Sequence, residues 1–184
     1  FQEQYFESLG AGQPYEYVIK RMTYLDRGDH HRVRGLFAKT FTPKRIEALR
    51  PFISEMVDRL LEKALPGEKF DLLELVAHPV PSLVICELLG VPTEDRKLFD
   101  GWTQRIAHLV SPAITEEQYA DAADALADEW RLMEELITSR SNNLGDDLLS
   151  ELILASRGDD AIPHQELVSN CIFLFSAGHQ TTRD

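Results

Sequence analysis

The sequence predicts a mainly α-helical fold. Apolar residues recur at three- and four-residue spacing over most of the 184 residues, and alternation with a period of two is nearly absent. Helix-starting patterns also stand at the heads of the apolar stretches. No internal repeat and no low-complexity linker divides the chain, so a single domain is expected, with residues 1–184 forming part of it.

The first 24 residues read as a loop with room for one short helix, punctuated by Gly10-Ala11-Gly12-Gln13-Pro14. A turn over Asp26 to Asp29 leads into a helix from Asp29 to about Phe41. Thr42-Pro43 is a cap followed by proline in the first helical turn. The next helix carries its apolar face on Ile46, Leu49, Ile53, Val57, Leu60 and Leu61 and ends at Pro66-Gly67. Phe70 to Leu89 is apolar almost all round and reads as a central buried helix, with Pro79 and Pro81 at a kink or near its start. Gly90 and Pro92 separate it from a helix running to about Val110, which Ser111-Pro112 breaks. Thr115-Glu116-Glu117-Gln118 is a capping box. It opens a long helix with the stripe Tyr119, Ala122, Leu126, Trp130, Met133 and Ile137. Gly145-Asp146-Asp147 starts a helix over Leu148 to Ala155, Arg157-Gly158-Asp159-Asp160 is a turn, and Ile162-Pro163 leads into the terminal helix.

With 43% hydrophobic and 27% charged residues the composition is that of a soluble globular protein. No apolar run approaches the roughly 20 residues of a membrane span, and no leader pattern opens the chain. Phe1 in place of Met suggests that a segment precedes the sequence. Cys86 and Cys171 lie far apart in apolar stretches and read as reduced core thiols of a cytoplasmic protein. The net charge of −12 is unevenly spread. Residues 20–50 hold nine Lys/Arg against three acids, hence +6, and the remainder is −18. That segment is either a solvated face or a docking patch for an acidic protein or anionic group. Nucleic acid is not expected, because the rest of the surface repels phosphate.

Two constellations carry chemistry. In Asp29-His30-His31-Arg32-Val33-Arg34, His30 and Arg34 stand four residues apart and share a helix face, where they can hold an anion together. His31 points about 100° away and cannot chelate a metal with His30. A solvated basic helix gives the same pattern. The second is Ala177-Gly178-His179-Gln180-Thr181-Thr182, after the apolar run Cys171 to Phe175. Gly and Thr are poor choices for helix stability, and the Thr181 hydroxyl can bond the Ala177 carbonyl and open the backbone. Gly178 lets a flat ligand or small molecule approach the backbone, while Gln180 and Thr181 offer polar groups and a niche for water. A helix–helix crossing made close by small residues is the other explanation.

In this order and separation the two resemble the cytochrome P-450 family of haem-thiolate monooxygenases. Leu25-Asp26-Arg27-Gly28-Asp29-His30-His31-Arg32-Val33-Arg34 is similar to the family's haem-propionate segment, D-P-P-x-H-x-x-x-R. Ala177-Gly178-His179-Gln180-Thr181-Thr182 is similar to its oxygen-activation motif, (A/G)-G-x-(D/E)-T-T. Phe41-Thr42-Pro43 and Val84-Ile85-Cys86-Glu87-Leu88-Leu89-Gly90-Val91-Pro92 resemble soluble bacterial members.

The resemblance implies a partial P-450 fold, from the loop before the family's C helix into its I helix, with N- and C-terminal portions missing. It implies a haem cofactor whose propionates are bound by His30 and Arg34, with Ala177 and Gly178 beside it. Thr181, with Gln180, would support proton delivery to oxygen through water, and Phe173 and Ala177 would line the substrate pocket. Residues 1–24 and the stretch near Ile106 to Ile114 would cap that pocket. The implied reaction inserts one atom of O₂ into a small apolar organic substrate, with electrons from a ferredoxin or flavodoxin-type donor reaching the basic segment.

Three departures stand out. Arg27-Gly28 replaces Pro-Pro, Gln180 replaces an acid, and the family's E-x-x-R motif and F-x-x-G-x-x-x-C-x-G cysteine loop are absent. No residue of this chain is therefore assigned as the iron ligand, and the piece alone is expected to be inactive. A non-catalytic P-450-like protein that binds or activates another enzyme is the alternative, and an unrelated helical domain with a basic face is the third reading.

Overall fold

The computed structural model describes residues 13–64, 67, 69–111, 113–158 and 161–183, without the side chains of residues 13–15, 110 and 179–183. The expected loop over residues 1–12, the breaks at Pro66 and Pro112, and the Asp159-Asp160 half of a turn lie outside the described residues.

The helices are α1 (Gln13–Val18), α2 (Arg27–Thr40), α3 (Pro43–Ala48), α4 (Arg50–Leu61), α5 (Pro79–Leu89), α6 (Arg96–Ile106), α7 (Glu116–Asn142), α8 (Leu148–Ala155) and α9 (His164–Arg183). No strand occurs among the described residues. α9 runs through the bundle against α5 and α7, α6 lies along α7, and α2 packs on α8. The core is built from Phe99, Phe175, Leu89, Leu126, Met133 and Ile172, all nearly inaccessible to water. The Phe99 and Phe175 rings, 4.6 Å apart, join α6 to α9.

The starts that the sequence marked are built as local chemistry requires. Thr42 accepts a hydrogen bond from the Arg45 N–H at 3.3 Å, capping α3. In the Thr115 capping box the Gln118 N–H donates to Thr115 Oγ1 and the Thr115 N–H to Gln118 Oε1. Asp147 caps α8 through the Ser150 N–H. Gly90 ends α5 at φ +64°, where a side chain would strike the Asp147 carboxylate. Arg140 closes this corner, donating to the Gly90 carbonyl and pairing with Asp147.

Several expectations are corrected. The helix expected over Ile46 to Leu61 is two, because Pro51 has no N–H to continue the ladder and the chain breaks at Leu49. Its packed residue is Met56, while Ile46 and Leu61 are exposed. The helix expected over Phe70 to Leu89 is buried only in α5. Leu73–Ala77 is a π-helical segment, closed by the His78 N–H on the Leu73 carbonyl, and Phe70, Leu72 and Leu73 are at least half exposed. Of the two places expected for Pro79 and Pro81, the start of the buried helix is the one found: both stand in the first turn of α5. The helix expected to reach Val110 is three pieces, with 3₁₀ turns at Thr93–Asp95 and Ala107–Val110 on either side of α6.

One buried charge was not anticipated. Glu129 lies on the stripe of α7 between Leu126 and Trp130, wholly buried, and neither carboxylate oxygen has a hydrogen-bond partner. Burial pushes its pKa up to about 8 from the ordinary 4.5, against the opposing pull of Arg21. Arg21 is itself buried, its Nε and Nη2 unbonded. An acid whose pKa is raised in the fold binds more protons folded than unfolded. Its contribution to stability is complete below about pH 4.5 and is lost as pH rises through about 8. Glu129→Gln mimics the protonated acid and removes this term. Between pH 5 and pH 8.5 the wild type should lose over about 1 kcal/mol more unfolding free energy than the variant, measured by urea titration. Parallel pH profiles would refute the assignment.

Candidate functional site

The first constellation lies on α2. Arg27 opens this helix at φ +41°, on the left-handed side of the backbone map. Proline, fixed near −65°, cannot occupy that conformation. The departure from Pro-Pro thus comes with a differently wound turn. His30 and Arg34 follow on one face. The His30 Nδ1 is 2.8 Å from the Met22 carbonyl oxygen. A carbonyl only accepts, so Nδ1 carries a proton, and Nε2 can donate to an anion only when it too is protonated, in the imidazolium form. Arg34 is exposed, and its guanidinium has no hydrogen bond or ion pair among the described residues. One guanidinium fork and one imidazole edge, a turn apart, fit a pair of carboxylates such as haem propionates. His31 is turned onto the Arg27 carbonyl at 2.7 Å, off this face, as its spacing predicts.

The neighbouring cations are mostly committed. Arg32 pairs with Asp29 and, at 3.0 Å, with Glu166 of α9. Arg45 pairs with Glu151 and Asp146, Arg50 with Glu47, and Arg21 is buried. Among the described residues Arg27, Arg34 and Lys44 are exposed without a side-chain partner. The +6 of the sequence therefore overstates the charge free to meet a partner.

The second constellation closes α9. His179, Gln180, Thr181 and Thr182 continue the helix, and their side chains lie outside the described residues. Phe173 and Ala177 are partly exposed, while Phe175 turns inward onto Phe99. Gly178 faces α5: a Cβ there would stand 2.6 Å from Ile85 Cγ1 and closer still to Cδ1. Its missing side chain is thus used by a tight α5–α9 crossing, the second of the two explanations that the sequence left open. The structure joins α2 and α9 further up the latter helix.

That junction was missed. The Met22 N–H donates to Asn170 Oδ1 at 2.7 Å, and Asn170 Nδ2 donates to the Lys20 and Glu166 carbonyls at 2.9 and 2.7 Å. Ser169 Oγ donates to the Tyr17 carbonyl, and the Tyr17 ring stacks on Trp130 at 3.9 Å. The available signal was a Ser-Asn pair inside the apolar run Leu167 to Phe175. Both cysteines are fully buried, and burial raises their thiols to about 12, so neither supplies a thiolate near neutral pH.

No family model matches the chain. It is 33% identical over 178 residues to cytochrome P450 CYP107DY1 of Priestia megaterium, covering 96% of this chain and 43% of the relative. The cytochrome P450 monooxygenase PikC of Streptomyces venezuelae is 39% identical over 156 residues, 83% of this chain and 36% of the relative. The crystal structure of P450BioI with an acyl carrier protein bearing hexadec-9Z-enoic acid is similar at TM-score 0.84 and 28% identity, over 91% of this chain and 43% of that one. This chain belongs to the cytochrome P450 family. It forms a partial P450 fold and spans less than half the length of these relatives. The helices α2 and α9 of this P450 carry the two stretches that resemble the family's propionate and oxygen motifs.

The crossing at Gly178 is open to test. Gly178→Ala should lower unfolding stability by about 1–3 kcal/mol, the usual cost of overpacking. Adding Ile85→Ala should make the double variant less destabilised than the sum of the singles. Additive losses in denaturant titrations would show that the two positions do not meet.

Proposed function

We propose that the full-length protein is a haem-dependent monooxygenase. It inserts one atom of O₂ into a small apolar organic substrate and releases the other as water, using two electrons and two protons. The observation that carries this reading is the His30–Arg34 pair. It is a carboxylate-binding face on α2, with His30 held by a fixed backbone contact and α2 tied through Arg32 and Glu166 to the helix that bears the oxygen-type motif. When bound, haem supplies the iron that activates oxygen. The thiolate ligand is assigned to sequence outside this chain.

The chain's own residues bind and prepare. Arg34 neutralises the propionates, and His30 in its imidazolium form donates to one of them through Nε2–H. Phe173 and Ala177 form the apolar wall against which substrate rests and from which bulk water is excluded. Gln180, an amide, orients water by donating and accepting but cannot ionise, and the Thr181 hydroxyl passes the proton onward. Gly178, turned onto Ile85, acts by setting the α5–α9 distance, with Ala177 beside the cofactor. Electrons are assigned to a ferredoxin or flavodoxin-type donor approaching the exposed Arg27 and Lys44. P450BioI forms a complex with an acyl carrier protein bearing hexadec-9Z-enoic acid, and a long acyl chain is one apolar ligand that the proposed pocket would suit. Among the described residues no helix is long and apolar enough to cross a membrane, and a cytoplasmic location suits this chemistry.

Gln180 in place of an acid favours one second reading, a P450-like partner protein without catalysis. The full-length protein, reduced under carbon monoxide, should show the shifted Soret band of thiolate-ligated haem. A folded protein that takes up no haem would sink the enzyme reading and leave the second. Thr181→Ala should lower the fraction of electrons that reach product severalfold while haem content is kept. Unchanged coupling, measured as product formed per NAD(P)H consumed, would route proton delivery away from Thr181.

A further inference from the structure

We propose that Asn170 is a positioning residue for His30, acting through the peptide of Met22. The inference rests on the assignment of His30 to a haem propionate.

The residues before α2 form a strap across α7 and α9. Asn170 is fully buried on α9 and uses all of its main polar directions on that strap and on its own helix. Oδ1 accepts from the Met22 N–H, and Nδ2 donates to the Lys20 and Glu166 carbonyls. The same Met22 residue turns its carbonyl to His30 Nδ1 at 2.8 Å. One amide side chain therefore fixes the residue whose carbonyl holds the ring's Nδ1–H and turns its Nε2 edge outward. In metal-binding histidines, likewise, the partner of one imidazole nitrogen fixes the orientation of the ring at the other. Here the partner is a backbone carbonyl that is itself held from α9.

Independent ties keep the strap in place without reaching His30. The Tyr17–Trp130 stack and the Ser169 bond to the Tyr17 carbonyl lie five residues earlier. Loss of the Asn170 amide should therefore release Met22 and the His30 ring while the strap stays docked. Distance favours an indirect role as well. Asn170 stands seven residues before Ala177, roughly 10 Å along the helix at 1.5 Å per residue, and is buried away from the ligand face.

The test uses the full-length holoprotein with ¹⁵N-labelled histidine, in its diamagnetic reduced carbon monoxide form. In the wild type the His30 Nδ1–H should be protected from exchange with water by its bond to the Met22 carbonyl. Asn170→Leu, close in size but without hydrogen bonds, should abolish this protection. Asn170→Ser, too short to reach Met22, should do the same and serves if the leucine variant does not load haem. Haem transfer to apomyoglobin should quicken about fivefold in either variant, the equivalent of one hydrogen bond. In a His30→Ala background the same change should have no further effect. An unchanged His30 signature in both variants overturns the proposal, as does full additivity with His30→Ala. Should His30→Ala alone leave haem release unchanged, the propionate assignment falls, while the ring signature still decides the role of Asn170.

Discussion

A side-chain amide sealed inside an apolar helix must find its partners within the protein, since no water reaches it. Asn170 meets this demand by reaching off its own helix to the backbone of residues 20 and 22. Much of the arrangement around α2 follows from that. The strap is drawn across α7 and α9, Tyr17 comes to lie on Trp130, and Met22 presents a carbonyl where His30 begins its turn of helix. The Arg32–Glu166 pair then holds α2 against α9 from the outer side. A helix that looks like a simple apolar rod thus organises the polar chemistry of its neighbour.

What the sequence made legible was local. The caps at Thr42, Thr115 and Asp147 are satisfied within three residues, and each is found where its pattern stands. α8 begins and ends where Asp147 and Ala155 indicate. The stripe of α7 is buried as its spacing requires, apart from Tyr119, which is only partly covered. Features that depend on a second element were not legible. Hydropathy cannot tell whether an apolar segment meets a neighbour, so Phe70, Leu72 and Leu73 read as core and are exposed. Glu129 sat in plain view on a buried face, but its cost depends on Arg21 across a gap that spacing does not report.

The candidate site divides in the same way. That His30 and Arg34 share one face was legible because a helix places residues four apart on one side. The tie that orients His30 spans 148 residues between Met22 and Asn170 and has no local signature beyond an amide in an apolar run. The sign of the segment around α2 was also legible, whereas its free charge was not. Pairing with Glu151 and Glu166 takes up part of it, and pairing is a property of the fold.

The turn before α2 carries a consequence for how such a segment changes over time. Arg27 has a positive φ, which excludes proline at that position, and a proline at residue 28 would demand an extended Arg27. Neither proline of the familiar pattern can be introduced alone without breaking the turn that now exists. The Arg27-Gly28 pair and the Pro-Pro pair are therefore two separate solutions for entering the same helix. Passage between them requires a coordinated double replacement, so this dipeptide should travel through a lineage as one inherited character.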